Sequence, residues 1–174
     1  DYMHRLFSNT VFRASTLKGL LIHSADDLGR TGPDYIYGWG LINLGGAADV
    51  ALRQHDLPAA PWITENHLSS ADLERQVPFY WDTRSPIKVT LCWTDPPGTP
   101  TNGLDVRTPV LVNNLDLRLI GPDSTTNYPY LLDSIHPTNA ATLGDNNVDN
   151  IEQIQIAAPA VTGEEAVASL EIAA

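Results

Sequence analysis

The chain has a single cysteine, no long apolar run, and 10 Lys and Arg against 21 Asp and Glu. Each shortage excludes something. Cys92 alone forms no internal disulfide, so cysteine usage does not report the compartment, and its place in an alternating apolar run reads as a buried, inert thiol. Apolar runs of only a few residues rule out a membrane-spanning helix. No basic-then-apolar segment with a cleavage site opens the sequence, so a secreted protein would carry its targeting signal upstream or have lost it. A formal charge of -11 repels phosphate backbones and argues against a nucleic-acid partner. The zinc signature H-E-x-x-H and the nucleophile elbow G-x-S-x-G are both missing.

What remains is a globular composition, 174 residues with 43% hydrophobic and 18% charged residues, written in two different grammars. Up to residue 57 the pattern is helix, turn, helix. Ser15 is a candidate cap for a helix through "STLKGLLIHSA", with Leu17, Leu20, Leu21 and Ser24 at helical spacing. "DDLGRTGPD" is a turn-rich connector, and Asn43 is a candidate cap for a second helix with Ala47, Ala48, Ala51 and Leu52 along one side. Two short helices bury little by themselves, so this region calls for a partner. From residue 58 onward, past a linker marked by Pro58 and Pro61, the period falls to two. Val77, Phe79 and Trp81 alternate, as do Ile87, Val89, Leu91 and Trp93, then Leu115, Leu117 and Leu119, and finally Ala166, Ala168, Leu170 and Ile172. Turns at "DPPG" and "GPDS" separate these runs, and the whole predicts an antiparallel β-sandwich.

The chemistry-bearing candidates thin out quickly. Gly38 and Gly40 match the first two glycines of a dinucleotide loop, but the third position is Asn43 and no strand–helix–strand context surrounds it, so "GWG" reads as a packing element around Trp39. His4, His23, His55, His67 and His136 have no motif supplying a nucleophile and an orienting group, and His23 reads as a satisfied helix-end residue. No residue is assigned a catalytic role. "DNNVDN" spaces oxygen donors like an EF-hand loop, but Asn150 stands where glycine is needed and Ile156 where glutamate is needed. Asp95, Asn114 and Asp116 stay as candidate ligands of a calcium ion of another type, against the alternative that they only make turns.

Taken in order, these segments resemble the end of a subtilisin-like serine peptidase and the β domain that follows it. "STLKGLLIHSADDLGRTGPDYIYGWGLINLGGAADVAL" is similar to the stretch after the catalytic serine helix in that family, where P-S-x-x-L-K-x-L-L-I-x-T-A leads to G-P-D-x-x-x-G-W-G-x-V-N. "KVTLCWTDPPG", "LVNNLDLRLIGPD" and "DNNVDNIEQIQI" resemble its C-terminal jelly-roll domain, which is similar in architecture to the P domain of proprotein convertases. The resemblance spans roughly residues 14–156 and implies a mainly β chain: residues 1–57 as a helical remnant of an α/β peptidase domain, and 58–174 as an antiparallel jelly-roll β-sandwich. It implies a secreted or cell-envelope location, the chain's own upstream catalytic domain as partner, and protein or peptide substrates. The departures are informative. The G-T-S-x-A-x-P nucleophile motif and those of the catalytic Asp and His are absent, Ala14 replaces a frequent helix-starting proline, and the usual N-D-L-D-L reads Asn113-Asn114-Leu115-Asp116-Leu117. An alternative from another class is a stand-alone carbohydrate- or protein-binding jelly-roll module, for which Trp62 is the best-placed sugar-stacking residue.

Overall fold

The computed structural model describes residues 1–60, 62–82, 84–104, 106–157 and 166–173. Helices come first: α1 (Tyr2–Leu6), α2 (Ala14–His23) and α3 (Leu44–Asp56). Strands follow: β1 (Glu74–Trp81), β2 (Ile87–Cys92), β3 (Asp116–Ile120), β4 (Thr126–Asn127), β5 (Tyr130–Leu131), β6 (Thr142–Leu143), β7 (Ile151–Ile156) and β8 (Ala166–Ala173). Every strand pairing is antiparallel, in a four-stranded sheet ordered β1-β8-β3-β4 and the pairs β2-β7 and β5-β6. The chain is thus β-rich, with few helices.

The alternations that predicted strands are the ones that build the core. Ile87, Leu117, Leu119 and Ile154 are buried together, and Phe79, Trp81, Val89, Leu91, Ile156 and Ile172 pack around them. The four-stranded sheet and the β2-β7 pair therefore share one apolar interior. Of the predicted face Ala166, Ala168, Leu170 and Ile172, only the Ile172 side chain falls within the description. Pro78 lies in β1, an edge strand of its sheet, the kind of strand in which proline is tolerated. Pro61 of the linker lies outside the described residues. Next to it the connection is strapped down: the Ile63 N–H donates to Gln54 Oε1 at 2.8 Å, and the Arg13 N–H donates to Glu65 Oε1 at 2.9 Å.

That last bond corrects an expectation. Ser15 does not cap α2; the helix begins at Ala14, its N-cap is Arg13, and Glu65 from the distant linker takes the Arg13 N–H and the Thr16 hydroxyl. A carboxylate at a helix N-terminus also meets the positive end of its dipole. The expected stripe is narrower than its spacing suggests, because Leu20 alone is buried while Leu17 and Leu21 stay exposed. Asn43 does cap α3, its Oδ1 accepting the Gly46 N–H at 2.8 Å. Of the side formed by Ala47, Ala48, Ala51 and Leu52, Ala47 and Ala51 are buried and Leu52 is exposed.

The outer face of β2-β7 carries α2. Thr90 Oγ1 accepts from Gln153 Nε2 at 2.9 Å and lies 3.0 Å from His23 Nδ1, while Lys88 Nζ donates to the His23 carbonyl. Burial first, and then the Lys88 ammonium, holds the His23 imidazole below its ordinary pKa. His23 is a satisfied helix-end residue. β7 packs against β3 on one face, and Ile151 through Ile154 are all buried.

Candidate functional site

The segment between α2 and α3 is held by its own aspartates. The Asp34 carboxylate accepts the N–H groups of Arg30, Ile36 and Tyr37, and these bonds, that of Tyr37 foremost, hold it below the usual carboxylate pKa. Asp27 accepts the Gly32 N–H, and Asp26 accepts Asn43 Nδ2. Two backbone bridges, Asp26 with Leu41 and Asp34 with Gly38, close the loop. This frame displays an apolar surface. Tyr35, Ile36, Tyr37, Leu41, Ile42 and Leu44 are all exposed, Ile36 by 77% and Leu44 by 69%. Leu17, Leu21 and Leu28 add to the apolar exposure of the same region. Six large apolar side chains are thus exposed within ten residues, on a loop fixed by internal bonds.

Trp39 itself does not join that surface. It is half-buried and lines a cleft of about 250 Å³ together with Lys18 and Ile22 of α2, Tyr130 of β5, and Asp149 and Asn150 of the turn before β7. Lys18 Nζ donates to Asn150 Oδ1 at 2.7 Å across this cleft. The turn is organised by Asn146, only 3% exposed, whose Oδ1 accepts the N–H groups of Val148 and Asp149. In "DNNVDN" the amide of Asn146 thus makes a tight turn.

Asp95 and Asn114 belong to the β2–β3 connection, at whose end Asp116 stands. Asp95 Oδ2 accepts the Val112 N–H at 2.7 Å, and its Oδ1 accepts the Asn113 N–H at 2.8 Å and Asn113 Nδ2 at 3.0 Å. Asp95 is thereby brought next to the "NNLD" segment. Asn114 is exposed just before β3, and Asp116 opens β3 with its carboxylate 3.7 Å from the Arg118 guanidinium. This donor set does not fit a calcium ion as it stands: both Asp95 oxygens already accept protein N–H groups, and the charge beside Asp116 is positive. Among the described residues no three His, Cys, Asp or Glu side chains converge on a point that could hold a metal. Trp62 is half exposed, but the Arg53 guanidinium lies 5.2 Å from the centre of its ring and occupies one face.

Two polar features escaped the sequence. Glu152 is fully buried, with Oε2 accepting the Leu117 N–H at 2.6 Å and Oε1 lacking any partner among the described residues. Beside it, Arg118 bonds the Leu117 carbonyl and Asp145 and stacks 4.7 Å from the Tyr128 ring centre. The signal that could have found Glu152 is its position two residues before Ile154 in "IEQIQI", a carboxylate on an inward face. Neither the protein-family models nor the curated proteins contain a match to this chain.

Proposed function

We propose that this chain is the C-terminal portion of a subtilisin-like serine endopeptidase, secreted or in the cell envelope. In this reading residues 1–57 complete the catalytic body, and the β region, a jelly-roll sandwich, stabilises that body or helps dock protein substrates. One observation carries it: the exposed apolar surface of Tyr35–Tyr37 and Leu41–Leu44, set on a rigid, internally bonded loop. Leaving this much apolar surface in water is unfavourable, at about 25 cal/mol per Å². The family resemblance supplies a cover for it, the body of the peptidase domain. The chain carries no assigned nucleophile, so proteolysis belongs to the partner body.

The test is to produce the chain together with its upstream segment and to place Ile36→Asp and Leu41→Asp in that longer protein. The expected result is protection of the Tyr35–Leu44 amides from hydrogen exchange in the longer protein, and loss of both protection and caseinolytic activity in the double variant. Casein hydrolysis by residues 1–174 alone, blocked by a serine-directed inhibitor, would overturn the assignment. So would a longer protein in which the double variant keeps full activity.

A further inference from the structure

β7 sends alternate side chains to two different layers. Ile154 enters the core beside Leu117 and Leu119, while Gln153 meets Thr90 beneath α2. Glu152 stands opposite Leu91 in the β2-β7 register, a position where an apolar side chain would continue the core. Instead it brings a carboxyl group between β7 and β3. β4 reaches only Leu119 and Ile120 of β3, and the Leu117 N–H beyond its end goes to Glu152. The carboxyl therefore replaces a missing stretch of strand, with its other oxygen left unpartnered.

The groups around it are few. From β3 come Asp116 and Arg118, whose charges act on the carboxyl in opposite directions, and from the turn before β7 comes the Asn146 backbone N–H, which favours the ionised form. β8 places Glu171 opposite Arg118. β2 contributes Leu91, its Lys88 and Cys92 being at alternate positions on the other face. Arg118 is thus the one cation near Glu152 on this side among the described residues. Its guanidinium, mostly buried, is committed outward to Asp145, the residue that begins the Asn146-centred turn on the cleft wall.

We propose that Glu152 is a proton-operated catch on the 145–150 turn. Protonated, it leaves Arg118 bonded to Asp145, and the turn stays fastened against the cleft. Ionised, its unpartnered oxygen has no donor in a dry interior, a situation that favours drawing the guanidinium inward. Asp145 then loses its cation and the turn is released. Burial foremost, and the neighbouring Asp116 charge, push the Glu152 pKa up to about 7, so the change falls near neutral pH. The cleft wall is closed in mild acid and loosened in mild base.

The experiment follows amide hydrogen exchange of Asn147, Val148 and Asp149 at about pH 5.5 and about pH 8.5, corrected for intrinsic exchange, with the side-chain carboxyl of Glu152 titrated by carbon NMR. In the wild-type protein, protection of these three amides falls by roughly tenfold at the higher pH while the β2 and β3 amides hold theirs. E152Q cannot ionise and keeps the acid-state protection at both pH values. D145N removes the outer partner of Arg118 and leaves the turn weakly protected at both. E152Q with the same pH dependence as the wild type would overturn the proposal. If E152Q does not fold, turn protection in D145N that still changes with pH would overturn it equally, as would a folded-state Glu152 titration completed below pH 5.

Discussion

Gly38 and Gly40 lie two residues apart around Trp39, yet the structure makes them different kinds of glycine. Gly38 has φ +60°, and a Cβ built there would meet nothing within 4 Å. Gly40 has φ +100°, and its Cβ would lie 2.1 Å from the Asp26 carbonyl oxygen, which accepts the Leu41 N–H of the loop-closing bridge. G38A therefore carries only the left-handed backbone penalty, about 1–2 kcal/mol. G40A carries a backbone penalty of that size and also forces apart the two bridge bonds, each 2.9 Å long. At about 1 kcal/mol net for each bond, its cost reaches roughly 3–4 kcal/mol. Urea unfolding followed by tryptophan fluorescence measures both, provided that the slope of the transition is unchanged. At about 2–4 °C per kcal/mol for a chain of this size, G40A melts on the order of 5 °C or more below G38A. G38N, with a side chain that tolerates the left-handed region, recovers part of the G38A loss. Two alanine variants within about 0.5 kcal/mol of each other would refute the steric account and leave conformational freedom as the only role of both glycines.

Glu152 makes stability depend on pH in a defined direction. Its folded pKa of about 7 exceeds the ordinary value of 4.5, so between these limits the folded state binds the extra proton. The stability this confers is complete below about pH 4.5, is lost as pH rises through 7, and amounts to about 3 kcal/mol. Chemical denaturation from pH 4.5 to 8.5 shows this fall in the wild type and a flatter profile in E152Q; identical profiles would count against it. Cys92 is half-buried and burial raises its thiol pKa, so Ellman's reagent should react with the native chain only as fast as the chain opens, and a rapid reaction would contradict that. Because protein donors already occupy Asp95 and Arg118 sits at Asp116, millimolar calcium should leave the melting temperature of this chain unchanged; a rise would show a site that binds only the folded state.

The strands were legible where apolar and polar side chains alternate along the chain. Val77–Trp81, Ile87–Leu91 and Leu117–Leu119 alternate because a pleated strand turns successive side chains to opposite sides. β7 was not legible as a strand because it reads Ile-Glu-Gln-Ile, buried residue after residue, and shows no simple period. The candidate surface was half legible. Helical segments short of core implied an unpaired face, but helical spacing alone assigned Leu17 and Leu21 to the interior, where the structure leaves them exposed. Trp39, which the sequence marked as a packing residue, finds part of its packing against β5 and the 145–150 turn.

By itself the sequence determined whatever is settled within a few residues: strand alternation, the Asn43 cap, the turn-rich connector before Tyr35, and the lack of a nucleophile motif. Local geometry and hydrogen-bonding groups suffice for these. Only the tertiary structure decided that Glu65 bonds the start of a helix 52 residues away, that Asp95 is tied to Val112 and Asn113, and that Glu152 is buried against Leu117. Each depends on which distant backbone group arrives unpaired beside a carboxylate, and chain folding, not sequence spacing, sets that arrival.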